Sequence, residues 1–424
     1  MGEGMDLSWI KKPHEYEPRR LYSNTGADWQ MRVNFDRMRE ERLQRALDKM
    51  EEFDIDALVV FTGENIRYLT SVYQGNWKYN IAIRYAVLPR GGKPTLFETA
   101  GSDLQCAKID APWLEGRIRP AITWRWSEGA EEMMADRMAQ SVFDVLKESG
   151  VEKGKIGCDL FDYRTMQSFG KLKLNMVSAW PVMSGARVVK TADEIECIKM
   201  STAFGDAAMW KIKYEWLKPG VTEAYVNAKV AEYLYEEGGF EHCYDIIVAS
   251  GGNTSPYRRW HTDKLIRAGD LVIIDINATG PSGYFVDFVR CLKVTGGKVT
   301  QQEKDLYKEV VESTEAGIEM MKPGNTTRDV AEKFPVYDDD KYGTVTLQQF
   351  AHSIGLSLYE GMWVSRAYSL DYPAEIKPNM TFAVETFAGH PGLPQTCRME
   401  HDIVVTPDGP VRLTQMEYED ELLS

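Results

Sequence analysis

The stretch LVIIDINATGPSGYFVDFVR, residues 271–290, contains two short apolar runs on either side of a turn-forming segment. Each apolar run carries one aspartate, Asp275 in the first and Asp287 in the second. Pro281 lies midway between them, so a β-hairpin centred on Pro281 would place the two carboxylates opposite each other on paired strands. Like charges in that position destabilise a strand pair. The pattern therefore predicts that a positive charge lies between the two acids.

Length, charge and cysteine content limit the classes of protein to which this chain can belong. The chain of 424 residues is longer than a typical single domain, so two domains are expected. Its net charge of −14 argues against a nucleic-acid partner, and no apolar run is long enough to cross a bilayer. The N-terminal segment lacks an apolar signal core, and the six cysteines are scattered without a CxxC pair. These features predict a cytoplasmic protein with reduced thiols.

The order of sequence patterns predicts where the domains lie. Residues 1–30 are polar and are expected to form an irregular N-terminal arm. Residues 31–188 alternate helical and strand patterns, which is typical of a compact α/β domain. A helix start follows, because Thr191 can cap the helix and Glu194 stands three residues later, as in a capping box. Residues 189–424 then combine long helices with strand-rich segments and are predicted to form the second domain.

Further polar residues interrupt apolar segments later in the chain. His352 lies beside a glycine turn in FAHSIGLSLYEG, Glu385 interrupts TFAVETF, and Glu400 follows Arg398 by two residues in CRMEHDIVVT. Taken singly, a histidine near a turn or a carboxylate at a strand end is more often structural than functional. An acid inside an apolar strand, however, must be paired or metal-bound to be tolerated, as for Glu385 and Asp275.

Together, these residues predict a metal site. Carboxylates and an imidazole in one pocket repel one another unless cations lie between them, and two divalent ions would remove the repulsion. A thiolate-free set of carboxylates with one histidine suits Mn, Fe, Co or Zn, and the general order of metal affinities does not choose among them. Two such ions, about 3.5–4 Å apart, clamp a hydroxide and stabilise charge that develops on a substrate.

Five segments resemble, in order and spacing, the pita-bread metallohydrolase superfamily, which includes aminopeptidase P, prolidase, methionine aminopeptidase and creatinase. The segments are VASGGNT, AGDLVIIDINATGPSGYFVDFVR, HSIGLSLYEG, IKPNMTFAVE and CRMEHDIVVTPDGPVRLT. The resemblance implies an α/β creatinase-like N-terminal domain followed by an α+β pita-bread catalytic domain, in which paired helices cover a curved antiparallel sheet. It also implies a homodimer. The metal positions of the family carry over as Asp275, Asp287, His352, Glu385 and Glu400.

The resemblance assigns further roles near the metal ligands. Arg398 corresponds to an arginine that helps to hold the carboxylates, and it is also a candidate substrate-binding group. Glu385 corresponds to the residue that shuttles a proton near the bridging hydroxide.

Two positions depart from the peptide-cleaving members. Those enzymes carry a histidine seventeen residues before the first aspartate, where this chain has Arg258. They carry another histidine seven residues after the liganding one, where this chain has Tyr359. Tyr359 is therefore one candidate catalytic residue. His261, three residues after Arg258, is the other.

The same region offers candidate substrate-binding groups. Arg258 has forked donors that suit a substrate carboxylate, and Trp260 offers an aromatic face for a cationic or apolar group. His390, in the GHPG turn, is a further candidate. The alternative for each is structural: a solvated loop arginine, a packed or interfacial aromatic residue, or a surface imidazole.

Three functions follow from these patterns. The first is hydrolysis of an amide-type C–N bond in a small substrate, either an Xaa-Pro dipeptide or a non-peptide amide as in the creatinase and ectoine hydrolase branches. The second is C–S cleavage by a metal-dependent lyase of dimethylsulfoniopropionate, which ENIRYLTSVYQGNW and ETFAG resemble, although Asn277 stands where that lyase has an acid. The third is a non-catalytic binding protein, which the five retained ligands disfavour.

Overall fold

The computed structural model describes residues 33–424 apart from 73–82, 126, 161, 244–245, 257–258, 339 and 341–347. The described residues divide into two compact units, 34–186 and 187–424. This division lies two residues before the boundary that the sequence predicts between 188 and 189. The predicted arm over residues 1–30 lies outside the described residues. No helix within the described ranges is long and apolar enough to cross a membrane.

The first unit is built around one mixed β-sheet. Its strands are β1 (Ala57–Val60), β2 (Tyr85–Pro89), β3 (Thr95–Glu98), β4 (Ile118–Pro120), β5 (Lys155–Cys158) and β6 (Asn175–Ser178). Its helices are α1 (Phe35–Glu52), α2 (Gly63–Thr70), α3 (Ser102–Asp110), α4 (Glu131–Glu148) and α5 (Tyr163–Lys171), and α6 (Trp180–Val188) follows at its end. The strand order is β4-β3-β2-β1-β5-β6, with β1 antiparallel to β2 and parallel to β5. The order is that of an α/β sheet.

The second unit contains two antiparallel sheets. Its strands are β7 (His242–Cys243), β8 (Ile247–Ser250), β9 (Leu271–Thr279), β10 (Phe285–Lys293), β11 (Ala351–Ser353), β12 (Glu360–Val364), β13 (Thr381–Ala388), β14 (Cys397–Thr406) and β15 (Gly409–Arg412). In one sheet, β9 pairs with β10 on one side and with β7 and β8 on the other. The second sheet has the order β12-β11-β13-β14-β15, and β10 packs against β14.

Helices accompany the two sheets of the second unit. They are α7 (Ala192–Lys211), α8 (Glu223–Glu236), α9 (Gln301–Met320), α10 (Thr327–Ala331) and α11 (Asp420–Leu423). The predicted capping box is present at the start of α7, where the Thr191 side chain accepts from the Glu194 amide and the Glu194 side chain accepts from the Thr191 amide. An equivalent box of Thr300 and Glu303 starts α9.

The hairpin of β9 and β10 has a different register from the predicted one. Asp287 lies opposite Asn277, and Asp275 lies opposite Val289, so the prediction that the two aspartates face each other is wrong. The turn is centred on Ser282 because Ser282 adopts φ 71° there, and the Gly280 amide donates to the carbonyl oxygen of the residue four positions later. A shift of two residues keeps side chains on the same face. The two aspartates are therefore diagonal neighbours.

Candidate metal centre

Three strands of the second unit bring an acid, a histidine and a second acid together. Asp287 on β10, His352 on β11 and Glu400 on β14 have ligand-type atoms that all lie within 4.8 Å of one another. His352 Nε2 lies 3.3 Å from Asp287 Oδ2 and 3.9 Å from Glu400 Oε1. The three residues are 2%, 1% and 0% exposed. In the described part of the chain, this is the one such group of potential metal ligands.

The Glu400 carboxylate provides the test of whether this group fits a cation. Both of its oxygens are buried and have no hydrogen-bond partner among the residues that the structure describes. Burial, together with the negative charges of Asp287 and Glu385, raises the pKa of Glu400 well above its usual range. Because buried polar atoms are nearly always paired, two such carboxylate oxygens beside an imidazole fit a cation as their partner. The donor types fit a divalent cation.

His352 is tuned by the same surroundings. Burial by itself would lower the pKa of His352, but the hydrogen bond and the charge of Asp287 outweigh it and raise the pKa. The Nδ1 atom of His352 lies 3.4 Å from the Ser353 carbonyl oxygen. An imidazole that ligates a metal must be neutral at the ligating nitrogen. A cation would therefore take the place of a proton at Nε2.

Arg398 connects the two other predicted ligands. Its Nη1 donates to Asp275, and its Nη2 and Nε donate to Glu385 Oε2, the Nε contact being 3.0 Å long. Its Nη2 also lies 3.8 Å from Glu400 Oε2. Burial alone would lower the pKa of Arg398, but the surrounding carboxylates outweigh it and raise the pKa further. The Arg398 guanidinium therefore donates to carboxylates of the site. Its contact with a substrate stays a prediction.

Three neighbours of the predicted ligands were not themselves predicted from the sequence. The Asn277 amide donates to Asp275 Oδ1, and Gln349 Nε2 donates to Glu385 Oε1 at 3.3 Å. Asp402 Oδ2 accepts the backbone N–H of Asp287 at 3.1 Å. The two-residue period of a strand was a usable signal for two of them, because Asn277 and Asp402 each stand two residues after a predicted ligand and share its face. Gln349 lies in an irregular segment and carried no such signal.

Tyr359 and His261, the candidates for the roles of the two family histidines, lie in different surroundings. The Tyr359 ring lies edge-on to the His352 ring, with centroids 4.6 Å apart. The partly exposed Trp363 packs against Tyr359 with centroids 5.3 Å apart. His261 is exposed to solvent. Of these two candidates, Tyr359 contacts a residue of the acid–histidine group.

Two of the other candidate substrate-binding residues, Trp260 and His390, are at least partly exposed. Trp260 is 54% exposed. His390 is half-buried, and its Nδ1 accepts the Gly392 N–H at 3.2 Å. Arg258 lies outside the described residues.

The fold and this acid–histidine site together define a two-domain metallohydrolase. Residues 196–407, half of the chain, match the model of metallopeptidase family M24, and residues 42–189 match the creatinase/prolidase N-terminal domain. The chain therefore belongs to metallopeptidase family M24 and is a metal-dependent hydrolase. The predicted resemblance to this superfamily and the predicted fold of an α/β creatinase-like domain with a pita-bread domain are confirmed.

Individual relatives agree with the family match. An Xaa-Pro dipeptidase from Pyrococcus furiosus is 24% identical over 382 residues, which cover 90% of this chain and 99% of that protein. A probable dipeptidase PepE from Mycobacterium tuberculosis is 29% identical over 244 residues, 57% of this chain and 63% of the relative. The solved structure of an Xaa-Pro dipeptidase from Bacillus anthracis matches with a TM-score of 0.71 at 22% identity, over 90% of this chain and 98% of that one.

Proposed function

We propose that this chain hydrolyses an amide-type C–N bond in a small substrate, and that Xaa-Pro dipeptides are the first class to test. Relatives that span nearly its whole length are named Xaa-Pro dipeptidases. The observation that carries the proposal is the Glu400 carboxylate, which is 0% exposed and lies next to His352. Within the described part of the chain, neither of its oxygens has a hydrogen-bond partner. A purely structural role does not account for such a carboxylate, whereas a cation-binding role does.

The proposed metal centre would hold two divalent ions, of Mn, Fe, Co or Zn. Its ligands would be Asp275, Asp287, His352, Glu385 and Glu400. When bound, divalent cations supply Lewis-acid polarisation of a carbonyl oxygen and lower the pKa of water at neutral pH.

Residues of the chain supply the proton movements and the positioning. Glu385 Oε2 is fixed by the Arg398 guanidinium, while Oε1 has the longer 3.3 Å contact with Gln349. Glu385 Oε1 is therefore the atom that would take a proton from the attacking water and pass it to the leaving amine. Arg398 acts as a positioning residue, because it fixes Glu385 and Asp275 together.

Substrate contacts come from outside the carboxylate cluster. Tyr359 is the nearest candidate, because its ring packs on the liganding His352 and its hydroxyl is a donor and acceptor. His261, Trp260, Arg258 and His390 are proposed to meet the more distant parts of the substrate. The exposure of His261 and Trp260 leaves both side chains accessible to a ligand.

The proposal includes a cytoplasmic homodimer that acts without a nucleic-acid or membrane partner. The six cysteines are all unbridged, as expected in a reducing compartment. Sedimentation or light scattering of the purified protein would measure the subunit number.

The test is turnover by metal-loaded protein, read out by mass spectrometry. Substrates are Xaa-Pro dipeptides, N-substituted small amides and a sulfonium zwitterion. Release of an amine that depends on added metal supports the hydrolase, and acrylate release from the sulfonium would instead indicate the lyase. Glu400→Gln removes a ligand charge and should abolish turnover and metal retention. Glu312→Gln, an exposed residue of α9, is the matched control and should leave both unchanged.

A further inference from the structure

Glu223, the first residue of helix α8, is 0% exposed and carries a buried carboxylate. Its Oε1 accepts the Ser250 N–H and the Ser250 hydroxyl, both at 2.7 Å. Its Oε2 accepts the Thr262 N–H at 2.9 Å and the Thr262 hydroxyl at 2.7 Å. Asn253 Nδ2 lies 3.1 and 3.2 Å from the two oxygens. One carboxylate thus joins both ends of the loop that follows β8.

This loop, residues 250–262, carries two of the proposed substrate contacts. Trp260 and His261 come directly before Thr262, and both side chains are exposed. If the loop were held at one end only, a ligand would have to fix these side chains when it binds, at a cost in binding free energy. Because Glu223 holds both ends with charge-assisted hydrogen bonds, part of that ordering is complete before a substrate binds.

The same loop is bonded to the segment that carries a third proposed contact, His390. The Thr396 N–H donates to the Thr254 hydroxyl at 2.8 Å, and the Thr396 hydroxyl donates to the Thr254 carbonyl oxygen. The Ser255 hydroxyl donates to the His390 carbonyl oxygen at 3.5 Å. Thr254 and Thr396 are 0% and 1% exposed, so water does not compete for their bonds. The two segments therefore form one hydrogen-bonded unit that includes Glu223.

We infer that Glu223 is a positioning residue for substrate binding. It fixes the 250–262 loop, and through Thr254 the segment of His390, in the arrangement that contacts the more distant parts of the substrate. This inference rests on the proposed function. Its physical basis is that a buried carboxylate holds its donors strongly, because each donor that leaves it removes compensation from a buried charge.

Glu223→Gln tests the carboxylate with little change of shape. The amide keeps one acceptor oxygen, but its –NH2 group would face the N–H donor of either Ser250 or Thr262. One end of the loop should then open about tenfold or more often, the weight of one hydrogen bond to a charged group. The first turn of α8 still donates backbone N–H groups to the carbonyl oxygens of Thr262 and Lys264, so the variant should fold.

Two matched controls separate the position of the loop from the stability of the protein. Glu232→Gln changes an exposed glutamate of the same helix. Glu194→Gln changes a buried glutamate whose hydrogen bonds are with Thr191 and Tyr284. The first control should alter neither the stability nor the loop. The second should lower the stability and leave the 250–262 loop as in the wild type.

The experiment has two readouts, both on metal-loaded full-length protein. The first is the rate of limited trypsin cleavage after the exposed Arg259, located by mass spectrometry, because this rate follows the population of the open loop. It should rise about tenfold or more in Glu223→Gln and stay at the wild-type value in both controls. The second is steady-state kinetics on the best Xaa-Pro dipeptide of the screen. KM should rise about tenfold in Glu223→Gln while kcat stays within about twofold of wild type, because contacts away from the reacting bond are lost.

Each outcome decides between the inference, the proposed function and a general loss of stability. Unchanged cleavage in Glu223→Gln, or an unchanged KM, would overturn the inference. Equal effects in Glu194→Gln would assign the changes to lost stability and would overturn it as well. Absence of turnover by the wild type would overturn the proposed function, and the cleavage rates would still decide whether Glu223 fixes the loop. If circular dichroism shows that Glu223→Gln does not fold, Asn253→Ala removes one donor to the same carboxylate and should change both readouts in the same direction.

Discussion

Glu385 on β13 and Glu400 on β14 lie directly opposite each other on paired strands. Both side chains are buried, and like charges in that position destabilise a strand pair. Arg398 supplies a nearby positive charge, since it donates to Glu385 and lies 3.8 Å from Glu400. The arrangement that the sequence predicted for the β9–β10 hairpin is thus found on the other sheet. Carboxylates outnumber the arginine that holds them, which favours a divalent cation.

Substitution of Arg398 should disturb this centre more than loss of one charge would suggest. Arg398→Lys keeps the charge but lacks the planar fork that reaches Asp275 and Glu385 together, so metal affinity should fall about 10–100-fold. Arg398→Ala removes the positive charge that lies between both buried carboxylates and should lower the free energy of unfolding of the metal-free protein by about 3–5 kcal/mol.

Metal titration and urea unfolding measure these two effects. The control is Arg119→Ala, which breaks the exposed pair with Glu148 and should cost about 0–1 kcal/mol. Equal losses for the two arginine-to-alanine variants would contradict the bridging role of Arg398.

Sequence patterns predicted elements better than they predicted contacts. The capping box of Thr191 and Glu194 was predictable because both partners lie within one helical turn. The hairpin was predictable from its apolar runs, but its register was not, because the turn depends on the left-handed conformation of Ser282. Gln349 could not be found, since its contact with Glu385 joins an irregular segment to a distant strand. Such contacts depend on tertiary packing, which no local pattern encodes.

A buried ion cluster in the second unit predicts acid sensitivity. Burial alone would raise the pKa of Glu360, but Arg187 and Lys190 outweigh it and lower the pKa to about 2. The lowered pKa means that the folded state binds this proton more weakly than the unfolded state, whose glutamate pKa is near 4.5. The contribution of Glu360 is therefore complete above about pH 5 and is lost as the pH falls toward 2, up to about 3 kcal/mol.

Urea unfolding at pH 3 and pH 6 checks this slope. Glu360→Gln should be less stable than wild type at pH 6, because two buried cations lose their partner, and the difference should shrink at pH 3. Glu312→Gln, on an exposed face of α9, should follow the wild-type curve at both pH values. A constant difference between Glu360→Gln and wild type would be inconsistent with the assigned pKa.

Tyr359 offers a test of the residue that replaces a family histidine. Tyr359→Phe keeps the ring contact with His352 and removes only the hydroxyl. If the hydroxyl takes part in proton movement, kcat should fall about 10²-fold while KM stays near its wild-type value. Steady-state kinetics on the best substrate of the screen measures this split. Tyr163→Phe, on a side chain that is 75% exposed, should leave both constants unchanged. An unchanged kcat in Tyr359→Phe would restrict Tyr359 to packing.

Glu400→Gln should have opposite effects on stability in the absence and presence of metal. In metal-free protein, Glu400 is repelled by Asp287 and Glu385. The neutral amide relieves that repulsion, so the metal-free variant should unfold at or above the wild-type temperature. Added Mn²⁺ should stabilise the wild type by about 2.7 kcal/mol at a free concentration one hundred times Kd, because it binds the folded state, and should scarcely change the variant. Thermal unfolding with and without Mn²⁺ measures both effects. Stabilisation of Glu400→Gln equal to that of the wild type would place the bound ion away from Glu400.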